Sequence, residues 1–476
     1  MEKDKKKILI LFILLFTLSF DLAAQIKDVP IVKLFEKEYY KYDIKSHETI
    51  YSICRKFDVT EAEILSMNPF IVNGLKNGQT LMIPVKTNKN STEGEILTKD
   101  KEILQTITPA QKKSKKIINT LTDTPRITII LPFATTKTQG VNERFIEFYE
   151  GFLMAVDSLK SLGLSFEVQA LESGEGVEDI KQAISTGKLR ETDYCIGGAN
   201  PEQIALLSEW AMKNRKILIL PFSSRIPELE NNHYLFQTNT LHSHIYDVLT
   251  EYYVNRIKAT NIIFLNGSPN EDDAETAFIP QIKSALKEKN IPFKMVDEDE
   301  KLQNLFAAME NNGENTIFTT SLSINQAHNL VARMAANMKT YPEKKITLMG
   351  YPEWQAMNKN YQKRLYELNT YLFSNFYADS QQNNVRNFQI DFNRIFGKDL
   401  LNTYPKYGMM GYDIATYFVP RMVLEKSELQ ESIPTIAPLQ NKFKFTTKNP
   451  NHGYYNQLFY VIHYKPDNTV EVHSLK

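Results

Sequence analysis

The chain has 476 residues, 42% of them hydrophobic, and its 56 lysine and arginine residues equal its 56 aspartate and glutamate residues. This length predicts two or three folded domains, and the charge balance gives no basis for binding to nucleic acid. The only cysteines are Cys54 and Cys195, so buried free thiols are expected rather than a disulfide framework.

The first residues have the pattern of an export signal. The lysine-rich MEKDKKK precedes an apolar run from Ile8 to Phe20, and small residues follow at Ala23 and Ala24. The run is shorter than the ~20 residues of a membrane-spanning helix. Residues 1–24 are therefore predicted to be a cleaved signal peptide, the alternative being an uncleaved anchor. After cleavage we expect no membrane span and a location outside the cytoplasm.

Residues 25 to about 38 are read as a short leader, and residues 38–85 as a compact block. KYDIK alternates as a strand does, and the next apolar residues recur every three or four positions, as on a helix face. Thr60 and Glu63 have capping-box spacing at a second helix start. LMIPV, after the turn at Asn77-Gly78, reads as a closing strand. The predicted order is strand, helix, helix, strand.

This block resembles the LysM family, small modules of βααβ fold that bind peptidoglycan and chitin. The resemblance is carried by Tyr42-x-Ile44, Thr49-Ile50-x-x-Ile53, Phe57-x-Val59-Thr60, Ile64-Leu65-x-x-Asn68 and Gly78-Gln79-x-Leu81-x-Ile83-Pro84. It implies that two loops hold N-acetylglucosamine-containing glycan in a shallow groove. The glycan-binding residues it implies are Ser46, His47, Glu48, Thr49, Asn68, Pro69, Phe70 and Ile71. The alternative is that these loops only cap the helices.

One stretch of the block departs from the family. His47-Glu48-Thr49 stands where LysM modules usually have Gly-Asp-Thr, which leaves open whether glycan affinity is preserved. The same stretch nearly matches the zinc motif H-E-x-x-H, but position 51 is Tyr51 rather than histidine. No metal site is therefore predicted here.

Residues 86–125 are polar and charged, with few aromatic residues, and are predicted to be a flexible linker. From residue 126 to 476, apolar strand-type runs alternate with amphipathic helical segments. The runs are ITIILPF, SFEVQAL, DYCIGG, KILILPF, NIIFL, TIFTT, ITLMG and TYLFSNF, and the tail KFKFT, YYNQLFYVIHYK and TVEVHSL is read as closing strands. This alternation predicts an α/β domain with parallel sheets covered by helices. Its size, about 350 residues, implies two lobes.

The large domain resembles the type I periplasmic binding proteins, the fold of the leucine/isoleucine/valine-binding proteins. The features that carry the resemblance are the opening strand Ile127–Thr135, Gly151-Phe152-x-x-Ala155-Val156, Asp193–Asn200, Ile217–Ser224, Tyr234–Thr240 and Tyr412-Asp413-Ile414-Ala415. The resemblance implies a bilobed domain with two doubly wound parallel sheets. Ligands of this family lie beyond the carboxyl ends of the strands. By position, the ligand-cleft candidates are Gly198, Ala199, Asn200, Ser223, Ser224, Ser268 and Asn270, the alternative being ordinary capped turns.

Other chemical signals are weak. His242 and His244 are read as a surface pair, and the carboxylates Glu172 and Asp193 have no sequence pattern that brings them together. No nucleophile, phosphate-loop or cofactor motif occurs, so neither catalysis nor a cofactor is predicted.

The resulting hypothesis is an exported, non-catalytic binding protein of a Bacteroidetes-type periplasm. Its LysM module would hold peptidoglycan, and its bilobed domain would act as a scaffold for an envelope partner such as a cell-wall synthase. The alternative for the large domain is a receptor for an amino acid or similar metabolite that serves an ABC transporter or a sensor.

Overall fold

A computed structural model describes residues 29–34, 37–46, 48–68, 71, 75, 78–85, 124–135, 140–266, 278–319, 324–425 and 436–476. The predicted export signal and nearly all of the predicted linker lie outside the described residues. Among the helices of the described part, none has both the length and the apolar character needed to cross a membrane.

The front module consists of a three-stranded antiparallel sheet and a pair of short helices. In chain order the elements are β1 (Ile31–Leu34), β2 (Lys37–Asp43), α1 (Ile50–Phe57), α2 (Glu61–Met67) and β3 (Thr80–Pro84). The strand, helix, helix, strand order is confirmed. Strand β1 was not predicted, because it lies in the segment that was read as a leader.

The helices of the module cover one face of its sheet. They bury Tyr42 and Ile44 beside Leu81 and Ile83, and Ile53 at the centre is fully buried. Both helices begin with a capping box, at Thr49 and Thr60, so the capping predicted at Thr60 is confirmed.

The rest of the chain forms an α/β fold around two seven-stranded sheets. The first sheet contains β4 (Arg126–Leu131), β7 (Glu167–Glu172), β8 (Tyr194–Gly197), β9 (Ile217–Leu220), β10 (Leu235–Thr240), β16 (Phe445–Thr446) and β17 (Tyr454–Asn456). The second contains β11 (Asn261–Asn266), β12 (Phe293–Asp297), β13 (Glu314–Thr319), β14 (Lys345–Met349), β15 (Thr370–Ser374), β18 (Phe459–Tyr464) and β19 (Val470–Leu475). A two-stranded ribbon consists of β5 (Ala134–Thr135) and β6 (Gly140–Val141).

Helices separate most of these strands. They are α3 (Glu143–Ser161), α4 (Glu178–Ser185), α5 (Pro201–Asn214), α6 (His242–Ile257), α7 (Phe278–Glu288), α8 (Gln303–Ala308), α9 (Ile324–Thr340), α10 (Lys359–Glu367), α11 (Asn383–Phe396) and α12 (Tyr407–Glu425), with 3-10 turns at Pro227–Asn231 and Pro352–Ala356.

The strand orders are β16-β17-β10-β9-β8-β4-β7 and β12-β11-β13-β14-β15-β18-β19. Consecutive βα units pair in parallel. The tail adds antiparallel strands, since β18 pairs with β15 and with β19. The predicted α/β class with two parallel-dominated sheets is confirmed.

By their internal contacts the described residues divide into two compact units. The first unit extends to Gly197 and includes Gln382–Leu400 and Tyr407–Ala437; the second comprises Gly198–Gln381, Leu401–Lys406 and Pro438–Lys476. The front module belongs to the first unit.

The core of the second unit is rich in aromatic side chains. Phe264 stacks on Phe318 with ring centroids 4.9 Å apart, and Trp354 is fully buried against Gly350. A Cβ at Gly350 would overlap the indole ring, which explains the absence of a side chain at the end of β14.

In the first unit, helices α3 and α12 approach each other backbone to backbone. A Cβ at Gly151 would collide with the carbonyl oxygen of Gly408, and a Cβ at Gly411 would collide with that of Phe148. Glu147 is 1% exposed and its Oε1 accepts a hydrogen bond of 2.9 Å from the amide of Gly408. Glycine at these positions therefore determines how closely the helices pack.

We predict that Gly411→Ala destabilises the protein. The added methyl group must push α12 away from the main chain of α3, which should lower the free energy of unfolding by about 3 kcal/mol. The matched control is Gly176→Ala, since a Cβ at Gly176 meets nothing within 4 Å. Urea denaturation of both variants is the measurement, and equal midpoints would contradict the close-packing account.

Candidate functional site

The loop before α1 is held by a cluster of polar side chains. The hydroxyl of Tyr42 donates to Glu48 Oε1 at 2.6 Å, and Lys56 Nζ donates to the Tyr42 hydroxyl at 2.8 Å. The main-chain amide of Lys45 donates to Glu48 Oε2 at 2.9 Å. Lys56 Nζ also lies 3.6 Å from Glu48 Oε1 and 4.5 Å from the centre of the Tyr42 ring. Glu48 therefore ties the loop to β2 and to α1.

The surroundings of Glu48 favour its ionised form. Partial burial acts to raise its pKa, but the hydrogen bonds from Tyr42 and from the Lys45 amide, with the charge of Lys56, lower the pKa below its usual value. Burial, together with the hydrogen bond to Glu48 and its charge, raises the pKa of Tyr42. The carboxylate is thus a charged structural group of the loop.

Thr49 is the N-cap residue of α1. Its hydroxyl accepts from the amide of Ser52 at 3.1 Å, and Ser52 Oγ accepts from the amide of Thr49 at 2.9 Å. Ser46 and Thr49 are exposed, whereas His47 lies outside the described residues. Of the candidate glycan-binding residues described on this side of the module, the exposed ones are Ser46 and Thr49.

The segment after α2 is anchored by Asn68. Its side-chain amide donates to the carbonyl of Met82 at 2.9 Å and to that of Ile64 at 2.7 Å, and its Oδ1 accepts from the Met82 amide at 2.8 Å. Asn68 is 1% exposed and Ile71 is 3% exposed. Their side chains point inward, so a contact of these residues with glycan would use main-chain groups. Pro69 and Phe70 lie outside the described residues.

The first three ligand-cleft candidates, Gly198, Ala199 and Asn200, form the turn that leads into α5. Asn200 is its N-cap and accepts from the amide of Gln203 at 2.9 Å. The amide of Ala199 donates to Gln203 Oε1 at 3.1 Å. Gly198 has a φ of +79°, and a Cβ there would collide with Ile204 and Leu220. The polar groups of this turn therefore bond with one another.

The next two ligand-cleft candidates, Ser223 and Ser224, follow the carboxyl end of β9 and lie close to residues of β10. Ser223 Oγ donates to the carbonyl of Arg225 at 2.9 Å, and Ser224 Oγ lies 3.1 Å from Nε2 of His242. Gln237 Nε2 donates to the carbonyls of Asn239, at 2.8 Å, and Ser224, at 3.3 Å. Sequence reasoning missed Gln237. Ser268 and Asn270 lie outside the described residues.

Several acceptor atoms near this group lack a protein partner among the described residues. Gln237 is fully buried and Asn239 is 8% exposed, yet Gln237 Oε1 and Asn239 Oδ1 accept no hydrogen bond. His244 Nε2 is buried and likewise unpartnered. The prediction of a surface pair at His242 and His244 is corrected, because both rings are partly buried and His242 meets Ser224. Buried acceptors of this kind usually bind water or a ligand.

A cavity of about 430 Å³ lies at the opposite, amino end of β4 and β7. Arg126 lines the cavity and forms ion pairs with two other lining residues, Glu191 and, at 2.8 Å, Glu167. None of the ligand-cleft candidates lines it.

The carboxylates Glu172 and Asp193 lie at opposite ends of β4. Glu172 pairs in register with Leu131 and accepts from the amides of Ala134 and Gly174, whereas Asp193 accepts from the amide of Arg126. They cannot act as one acid–base pair. Within the described part of the chain, no group of His, Cys, Asp and Glu side chains has the arrangement of a metal site.

Comparison with known proteins assigns the front module. The profile of the LysM domain family matches residues 42–84. Residues 42–84 form a LysM domain. In this domain Glu48 and Thr49 fix the start of α1, while Asn68 fixes the segment that follows α2.

Comparison with solved structures assigns the larger domain. A protein from Rhodospirillum rubrum, assigned as a branched-chain amino acid ABC transporter, matches with a TM-score of 0.54 and 10% identity, covering 74% of this chain and 100% of that chain. LpoA of Haemophilus influenzae has a TM-score of 0.48 and 11% identity, covering 75% and 60%. LivJ of Streptococcus pneumoniae, solved with isoleucine, has a TM-score of 0.41 and 14% identity, covering 74% and 100%. No curated protein matches by sequence. The larger domain has the type I periplasmic binding protein fold.

We predict that Glu48→Gln loosens the LysM domain. Loss of the charge weakens the contacts with Tyr42 and Lys56, so the free energy of local opening should fall by about 1 kcal/mol at pH 7. Because the folded-state pKa of Glu48 is lowered, its contribution exists above the unfolded-state pKa of about 4.3 and is lost as pH falls through the lower folded value.

Hydrogen exchange at the amide of Ile53, which donates to the Thr49 carbonyl, measures this opening between pH 3 and pH 7. The control is Glu38→Gln, which changes an exposed glutamate on β2. If wild type and Glu48→Gln had the same protection throughout this range, Glu48 would not stabilise the loop.

Proposed function

We propose that this protein is an exported, non-catalytic binding protein of the cell envelope, located in the periplasm, whose LysM domain binds peptidoglycan glycan. The observation that carries the proposal is the LysM match over residues 42–84, together with an ordered helix-start loop at Glu48 and Thr49. Because Glu48 is held by hydrogen bonds, the exchange of Gly-Asp for His47-Glu48 is compatible with a well-formed loop.

Glycan would be held between the 46–49 loop and the 68–71 segment. Ser46 and Thr49 are exposed on the first, and His47 stands between them in the sequence. On the second, the phenyl group of Phe70 would supply apolar contact to a sugar ring, while Asn68 and Ile71 are buried. Short polar groups and main-chain amides suit the acetamido group of N-acetylglucosamine.

We assign the larger domain the role of a scaffold that contacts a protein partner in the envelope, such as a cell-wall synthase. Support comes from those ligand-cleft candidates that the structure describes, whose polar side chains and amides have local hydrogen-bond partners. Asn200 caps α5, Ser223 bonds with its own turn, and Ser224 meets His242. A site that binds a zwitterionic metabolite needs such groups directed at the ligand.

A receptor for an amino acid or similar metabolite is the second candidate. It is favoured by the unpartnered oxygens of Gln237 and Asn239 at the carboxyl end of β10, where ligands of α/β proteins bind. Two buried acceptors could receive the ammonium group of an amino acid.

We predict that Phe70→Ala weakens binding of an N-acetylglucosamine oligomer to the full chain about tenfold, equivalent to about 1.4 kcal/mol, through loss of apolar contact with a sugar ring. Met212→Ala is the control, because Met212 is exposed but lies on α5. Isothermal calorimetry gives the affinities. Retention on purified sacculi that is unchanged by deletion of residues 25–85 would refute the glycan-binding role.

Thermal shift of the full chain separates the scaffold from the receptor. The scaffold hypothesis predicts an unchanged melting temperature with leucine and with other amino acids. A receptor would melt at a higher temperature in saturating ligand, and Gln237→Leu would remove that shift. If an amino acid raised the melting temperature of wild type but not that of Gln237→Leu, the receptor hypothesis would replace the scaffold hypothesis.

A further inference from the structure

The LysM sheet has a second covered face, turned away from its own helices. We call it the docking face and define it as Val32, Tyr39, Lys41 and Met82. Val32 pairs with Tyr39 and Lys41 pairs with Met82, so these residues lie side by side on one face of β1, β2 and β3. Tyr39 is 4% exposed and Met82 is 7% exposed, although the domain's own core is on the opposite face.

Helices of the larger domain cover the docking face. Ile395 of α11 packs against Tyr39 and Met82, and β1 contacts α3. Burial raises the pKa of the Tyr39 hydroxyl, and the charge of Asp157 on α3 adds to this shift. All of these residues belong to the first unit.

A charge supports the same contact. Gly397 is the C-cap of α11, and a Cβ on it would collide with Nζ of Lys41. The ammonium group therefore lies at the carboxyl end of α11, where a cation interacts favourably with the helix dipole.

The docking face and the candidate glycan groove share one structural link. Met82 packs on Ile395 through its side chain, while its main-chain amide and carbonyl are bound by the side chain of Asn68. Asn68 begins the 68–71 segment. Met67, directly before it, also packs in the cluster of Tyr39 and Met82.

We propose that docking and glycan binding are coupled through Met82 and Asn68, so that the docked LysM domain binds glycan more tightly than the undocked one. Docking restrains Met82, and the Asn68 side chain is hydrogen-bonded to the main chain of Met82. Docking therefore lowers the part of the binding cost that comes from fixing Asn68. By reciprocity, bound glycan strengthens docking. The LysM domain then orients α3 and α11 relative to the cell wall. This inference rests on the proposed glycan binding.

The test compares Ile395→Asp with Ile390→Asp in the full chain. Both residues lie on α11, but Ile390 is 64% exposed, whereas Ile395 packs on the docking face. With an N-acetylglucosamine oligomer as probe, Ile395→Asp should raise Kd about fivefold and speed hydrogen exchange in β1 and β3. Ile390→Asp should change neither. Lys41→Glu is a second variant with the same expected direction, because it replaces the cation at the carboxyl end of α11 with an anion.

The outcomes are distinguishable. If wild type binds the oligomer but Ile395→Asp and Lys41→Glu bind it equally well, despite faster exchange in β1 and β3, the coupling is refuted and glycan binding stands. Exchange in β1 and β3 that is the same in all variants would refute the docking itself. If wild type does not bind the oligomer, the proposed glycan binding is refuted, and the coupling with it.

Discussion

The contact between α3 and α12 is the constraint on which the first unit depends. Because residues 151, 408 and 411 are glycines, the main chains of the two helices are in direct contact. The buried Glu147 accepts a hydrogen bond from the amide of Gly408. The same α3 supports its other neighbours. Glu150 approaches Lys398 at 2.9 Å beyond the end of α11, and Asp157 lies near the LysM sheet. A shift of α3 would therefore disturb α11 and the docking face together.

The small sheet of the LysM domain is covered on both of its faces. Its inner core is supplied by its own helices, while its docking face is buried by side chains of another domain. Two side chains connect these layers to the candidate groove. Glu48 holds one loop through Tyr42 and Lys56, and Asn68 holds the other through Met82. The two loops that flank the candidate groove are thus held by contacts within the domain that do not require glycan.

Much of this fold could be predicted from the sequence, because it follows local patterns. Most of the continuous apolar runs became buried parallel strands, β7 being a partly exposed exception, and the Thr60 capping box began a helix as expected. Strand β12 was missed because it is an edge strand with exposed positions, and β1 because it depends on pairing with β2. The role of Asn68 could not be predicted, since its partner lies 14 residues away. Gln237 was missed for a similar reason: only tertiary contacts bury a polar strand residue.

The pairing of α3 with α12 has a consequence for how the chain becomes folded. Glu147 and Gly408 are separated by 261 residues, so the helix pair cannot form until the chain as far as α12 is available. Contacts of such long range close slowly, and the apolar side of α3 remains uncovered meanwhile, when aggregation competes with folding. A chain truncated before residue 407 would lack the partner of α3 altogether. The first unit therefore cannot be completed before α12 is available, although α3 lies far earlier in the sequence.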